Sequence, residues 1–170
     1  MDEKTIALRL ALAALLGGVL GLERELRGQA AGLRTHILVS LGACCFTLAS
    51  VFIEVPLGVG APEGARGDIG RIASQVVVGI GFLGAGVIMR HGGQVKGLTT
   101  AANLWLTASV GLASGLGFYF AAGATMVIAL LALAGLRPLE RGIRDYRRRR
   151  GLKVDGDMPS PNNTEPREPD

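Results

Sequence analysis

The sequence predicts an all-α integral membrane protein with five transmembrane helices, its N-terminus outside and its C-terminus cytoplasmic. Three observations carry this. Of 170 residues 49% are hydrophobic, with a mean hydropathy of +0.38. The charges lie in blocks separated by long stretches that hold almost none. Lys and Arg also divide unequally between alternate connecting segments, which sets orientation in a bilayer. This pattern excludes a disordered chain and a disulfide-stapled module, and it argues against a soluble enzyme.

The apolar runs justify the elements in turn. Thr5–Leu22 is broken only by Arg9, which is expected to snorkel outward. Its flank Met-Asp-Glu-Lys has no net positive charge, so it reads as a retained helix rather than a signal peptide. Ile37–Val55 follows, with Glu54 near its end, and then Ile72–Met89, which has no charge at all. Ala101–Leu136 has 36 residues. As one helix it would be about 54 Å long against a hydrocarbon core of roughly 30 Å. The break at Gly115-Leu116-Gly117 folds it into a hairpin whose first arm is expected from about Ala101 to Ser114, N-capped by Thr99 or Thr100. With five crossings the inner segments collect twelve Lys/Arg: Arg24, Arg27, Arg34, Arg90, Lys96 and the seven Arg of 137–150. The outer segments hold three, Lys4, Arg66 and Arg71.

This divides the chain into a membrane domain over 1–136, a basic juxtamembrane segment over 137–150 and an acidic, Pro-rich tail over 151–170 expected to be disordered. Their net charges are +2, +5 and −3, which sum to the +4 of the whole chain. Beside a membrane segment the basic block marks the cytoplasmic face rather than nucleic-acid binding. Leu136, Leu139, Ile143 and Tyr146 fall on one side of a helix, with Arg137, Arg141, Arg144, Arg147 and Arg148 over much of the rest. Residues 138–150 are therefore expected either to form an amphipathic helix on the cytoplasmic leaflet, at about 1 kcal/mol per Arg, or to be a plain stop-transfer cluster. Pro138 suits its first turn.

Small residues sit at helix-packing spacing. Gly17 with Gly21 and Gly111 with Gly115 form GxxxG patterns, and Gly81 and Gly84 belong to the dense cluster Gly79–Gly86. Lipid supplies no hydrophobic drive between helices, so close backbone approach over small residues holds them together. In the Gly79–Gly86 cluster a pore or ion-lining role is an equal alternative. The adjacent Cys44 and Cys45 read as small apolar packing residues.

Polar residues in or beside these runs need explaining, because lipid penalises each unpaired group. Glu54 and Asp68, near Arg66 and Arg71, read as structural pairs at the outer boundary. Glu23 can pair with Arg24, Arg27 or Arg34, or act as a cation ligand; one carboxylate is a weak Mg²⁺ signal. Gly28 and Gly32 exceed what a plain connector needs. The Arg90–Thr100 segment is Gly-rich before a helix start, like an anion cradle, but lacks GxxxxGK[ST]. Trp105 suits an interfacial belt or a packed core. Asn103, one turn into a helix, must find a partner; Ser74 and Gln75 are candidates, although Gln75 begins the third run at the far side. No HExxH and no Ser-His-Asp order is present, and no catalytic site is expected.

The segments Gly21-Leu22-Glu23-Arg24-Glu25 and Gly32-Leu33-Arg34-Thr35-His36-Ile37-Leu38-Val39-Ser40-Leu41-Gly42-Ala43 resemble the MgtC/SapB family of bacterial membrane proteins. So do Gly79–Ile88 and Val95-Lys96-Gly97-Leu98-Thr99-Thr100-Ala101-Ala102-Asn103-Leu104-Trp105. The resemblance covers roughly residues 5–136. It implies a multi-pass inner-membrane protein linked to magnesium homeostasis and growth at low Mg²⁺, and in pathogens to survival inside host cells. Members look like regulators of other membrane proteins; a small oligomeric cation channel or transporter is the alternative. The functional residues it implies are Glu23, Arg24, Arg34, Thr35 and Asn103. No cofactor is implied beyond Mg²⁺ as a sensed or bound ion, whose ligands it leaves unknown. Partners would be lipids, other membrane proteins and further copies of the chain, with no nucleic acid. Virulence-associated members carry a cytoplasmic ACT-like domain after the last helix; residues 151–170 are too few and too Pro-rich to form one, so a short form is expected.

Overall fold

A computed structural model describes residues 1–53, 69–91 and 94–150. Among these described residues are six helices, α1 (Glu3–Leu26), α2 (Leu33–Ile53), α3 (Ile69–Val87), α4 (Leu98–Leu116), α5 (Tyr119–Gly135) and α6 (Arg137–Arg149). Between α3 and α4 lies a two-stranded antiparallel hairpin, β1 (Met89–His91) and β2 (Gln94–Lys96), in the register Arg90↔Val95. Each apolar run is thus a helix, and the small hairpin is a departure from the all-α expectation. Glu3–Leu26 and Leu33–Phe52 are long and apolar enough to cross a membrane; Ser74–Val87 and Tyr119–Gly135 are shorter apolar helices. The expected pairing of Glu54 and Asp68, and the tail 151–170, lie outside the described residues.

The turn joining α1 to α2 follows from its glycines. Gly28 has φ +63°, the left-handed conformation that costs a glycine least. It lets the Gln29 N–H reach Arg24 O (3.1 Å) and the Gly28 N–H reach Glu25 O (3.0 Å), a Schellman ending. Glu25 then accepts the Leu33 N–H at 3.0 Å, satisfying an orphan donor at the start of α2. A Cβ on Gly32 would collide with that carboxylate.

The α4–α5 hairpin turns where expected, through Gly117 at φ +84°. Its first arm needs correction. α4 begins at Leu98 with Gly97, not Thr99 or Thr100, as N-cap. A Cβ on Gly97 would strike Val87 O, so the strand hairpin folds tightly onto the end of α3 and starts α4 a turn early. Arg9 is also corrected. It points inward, donating from Nη1 to Gly115 O (2.6 Å) and from Nε to the Tyr119 hydroxyl (3.3 Å). An unsatisfied carbonyl at the negative end of α4 is a better partner than a snorkelled position.

α1, α2 and α4 pack mutually against one another, and the glycines of α1 and α4 set their approach to α2. A Cβ on Gly17 would stand 2.7 Å from His36 O and from Ser40 Cβ; one on Gly21 would stand 2.7 Å from Leu33 Cα. On the other side, a Cβ on Gly111 would collide with Ser40 O, and one on Gly115 would lie 2.7 Å from Thr47 Cβ. These contacts run α1 antiparallel to α2, and α4 parallel to it. α3 packs on α4 through Gly84, whose Cβ would sit 3.6 Å from Ala101. At Gly79, Gly81 and Gly86 an added Cβ would meet nothing, so Gly81 makes no close helix contact among the described residues. Leu16 and Leu20 of α1, Val110 of α4 and Ala122 and Ala129 of α5 form one apolar cluster; Ala43, Ile80, Leu104 and Ala108 form a second toward α3.

Candidate functional site

The closely packed α1–α2–α4 unit has a polar interior at one end. Arg24 (2% exposed), His36 (0%), Thr100 (4%) and Asn103 (5%) are all buried there. Arg24, in the last turn of α1, donates from Nη2 to Thr100 Oγ1 (2.7 Å) and to Gln29 Oε1 (3.0 Å). Asn103 lies three residues beyond Thr100, on the same face of α4, with its Nδ2 3.0 Å from His36 Nε2. His36 Nδ1 lies 2.9 Å from Gly32 O, which can only accept, so Nδ1 carries the proton. With the amide in this orientation Nε2 accepts from Asn103, and the imidazole is the neutral Nδ1–H tautomer.

Three helices and the α1–α2 turn thus meet through hydrogen bonds between groups that burial would otherwise leave costly. The polar stripe continues along both inner faces. Thr47, Thr107 and Ser114 are buried and donate to the carbonyls four residues earlier, Ala43, Asn103 and Val110, each at 2.8 Å. Each hydroxyl thereby satisfies itself locally and leaves the interface narrow.

The residues singled out by sequence separate in space. Arg24 and Asn103 enter the polar cluster through Thr100 and His36. Glu23 faces its neighbour one turn on and forms an ion pair with Arg27. Arg34 and Thr35 are exposed. Thr35 helps line a groove of about 360 Å³ with Ala31, Phe82, Val87 and Leu104. Asn103 pairs with His36 rather than with Ser74 or Gln75, both of which are exposed on α3. Trp105 is exposed, Cys44 is a buried free thiol and Cys45 an exposed one. Among the described residues no three His, Cys, Asp or Glu converge as a metal-binding group.

His36, Thr100 and Gln29 were not singled out as site residues by the sequence. A signal for His36 exists: beyond the first turn of a mostly apolar helix, His36, Ser40, Thr47 and Ser50 recur at positions 0, 4, 11 and 14, which aligns them on one face. A polar face in such a helix points toward a protein partner.

The MgtC family model matches residues 10–142. Protein MgtC of Brucella abortus (strain 2308) is 44% identical over 142 residues, 84% of this chain and 56% of the relative. Protein MgtC of Salmonella typhimurium (strain LT2) is 48% identical over 141 residues, 81% of this chain and again 56% of the relative. The chain therefore spans little more than half the length of these relatives. No solved structure matches it. On the family match and these identities, the chain belongs to the MgtC family.

Proposed function

We propose that this chain is a multi-pass protein of the bacterial inner membrane that acts in magnesium homeostasis by contacting and regulating other membrane proteins. Family membership supports the magnesium connection, and two helices of spanning length support the membrane. The excess of Lys and Arg in alternate connections supports five crossings with a cytoplasmic C-terminus. The observation that carries the regulatory reading is the polar cluster itself. Arg24, His36, Thr100 and Asn103 direct hydrogen bonds at one another or at nearby backbone and so fasten α1, α2 and α4 into a rigid unit. A Mg²⁺ site would instead present several hard oxygens. In this reading Mg²⁺ is the condition sensed and the rigid unit is the platform that a partner recognises.

Capture of the tagged protein from mild detergent extracts of cells grown at low Mg²⁺ tests this. The same membrane protein should be recovered in repeated captures and be lost with Asn103→Ala. Recovery of the bait alone in every repeat would contradict the proposal. The open face at Gly79, Gly81 and Gly86 favours a second reading, an oligomeric cation channel lined by α3. Purified protein in liposomes should then conduct Mg²⁺, K⁺, Na⁺ or H⁺, and absence of flux for all four would remove that reading.

A further inference from the structure

Among the described residues, α6 presents an apolar face that no other element covers. Leu136, Leu139, Ile143 and Tyr146 are each 51–59% exposed and recur at helical spacing across the α5–α6 junction and α6. Four large apolar side chains in a row are not a stable surface in water. The sequence over 137–150 surrounds them with seven Arg against Glu140 and Asp145. Arg150 lies over the Tyr146 ring, 4.9 Å from its centre, a cation against the face of the tyrosine.

The position of α6 indicates what covers this face. α5 starts beside the C-terminal end of α4 and runs back toward the end that carries Arg24 and Asn103. α6 leaves α5 at that end, where Arg34, Arg90 and Lys96 are also exposed. The acidic side chains at the end of α1 are engaged: Glu23 with Arg27, and Glu25 with the Leu33 N–H. A surface at that level which is both apolar and anionic fits the face and its charge together.

We infer that α6 is an in-plane membrane helix that lays Leu136, Leu139, Ile143 and Tyr146 into the cytoplasmic leaflet and binds anionic phospholipid headgroups through its arginines. Apolar insertion and charge are separate signals, and each alone gives weak, reversible attachment. Together they hold a helix of about 20 Å flat against the leaflet. Pro138, in the first turn, breaks the continuity with α5 that would otherwise carry the helix straight into water. The inference rests on α5 crossing the membrane and is independent of the magnesium role.

Hydrogen exchange on the full chain in nanodiscs tests it, comparing pure phosphatidylcholine with a mixture containing phosphatidylglycerol. Amides of 139–149 should exchange roughly tenfold or more slowly on the anionic discs, and 0.5 M KCl should remove most of the difference by screening. The double variant Leu139→Ser/Ile143→Ser should lose the protection, whereas Leu139→Ile/Ile143→Leu should keep it. Protection of α1 and α2 in the same spectra shows that each variant is folded. Fast exchange of α6 on both lipids overturns the inference and leaves the membrane domain intact. Equal protection on both lipids also overturns it, because anionic headgroups would then contribute nothing to holding α6.

Discussion

Asn103 and His36 are the residues on which the geometry of the site turns. Removing one partner leaves the other buried without its hydrogen bond, at a cost of about 1–3 kcal/mol. Asn103→Ala should therefore express at near-normal levels, melt at a lower temperature in detergent and fail to support growth at low Mg²⁺. The double variant His36→Phe/Asn103→Leu, which removes both polar groups, should recover much of the stability. Growth restored along with it would show that the pair is structural; stability restored without growth would place function on the pair itself. Arg9 gives an independent check. Arg9→Met keeps the aliphatic stem and removes the donor to Gly115 O, so it should destabilise by about 1.5–3 kcal/mol, read as a fall in melting temperature. Half of this scale was legible in the sequence. An amide one turn inside an apolar helix announces that it needs a partner, but the partner lies 67 positions away, and separation in sequence carries no distance. The inward turn of Arg9, in place of snorkelling, escapes the sequence for the same reason: its acceptors, Gly115 O and the Tyr119 hydroxyl, lie 106 and 110 positions away.

At the scale of elements, the glycines of α1 and α4 and those of α3 behave as two classes. Gly17, Gly21, Gly111 and Gly115 hold backbones together where a methyl group has no room. Gly21→Val and Gly111→Val should each destabilise by about 1–3 kcal/mol or more and lower the yield of folded protein. Among the described residues Gly81 has open space beside it, and Gly81→Ala should be neutral or stabilise by about 0.5–1 kcal/mol through helix propensity. Melting curves of the purified variants in one detergent decide both. The GxxxG spacing made the first class legible, since residues four apart share a helix face. The α3 cluster has equally dense glycines, and nothing in its spacing tells a packed face from an open one. That distinction depends on the neighbouring helix, as does the early start of α4, which the folding of β1 and β2 onto Val87 dictates.

For the whole molecule, the hydropathy blocks were enough to separate the chain into its helices, because long uncharged runs have few other solutions. The strand hairpin was not legible: three residues on each arm give too little alternation to stand out. Orientation yields its own expectation from the twelve-to-three distribution of Lys and Arg. In a Cys44→Ala/Cys45→Ala background, a cysteine placed at Thr5 should react with a membrane-impermeant maleimide in intact spheroplasts. A cysteine at Arg150 should react only after lysis, and the reverse pattern would invert the topology. The role proposed for this member of the MgtC family, serving magnesium physiology from within the membrane, predicts a growth phenotype. Growth of a deletion strain across a Mg²⁺ titration tests it most directly, with wild-type and Asn103→Ala copies supplied at matched levels. The strain should match its parent when Mg²⁺ is plentiful and fall behind as Mg²⁺ becomes limiting, with rescue by the wild-type copy and not by Asn103→Ala. Identical growth of the deletion strain and its parent at every Mg²⁺ concentration would contradict the account.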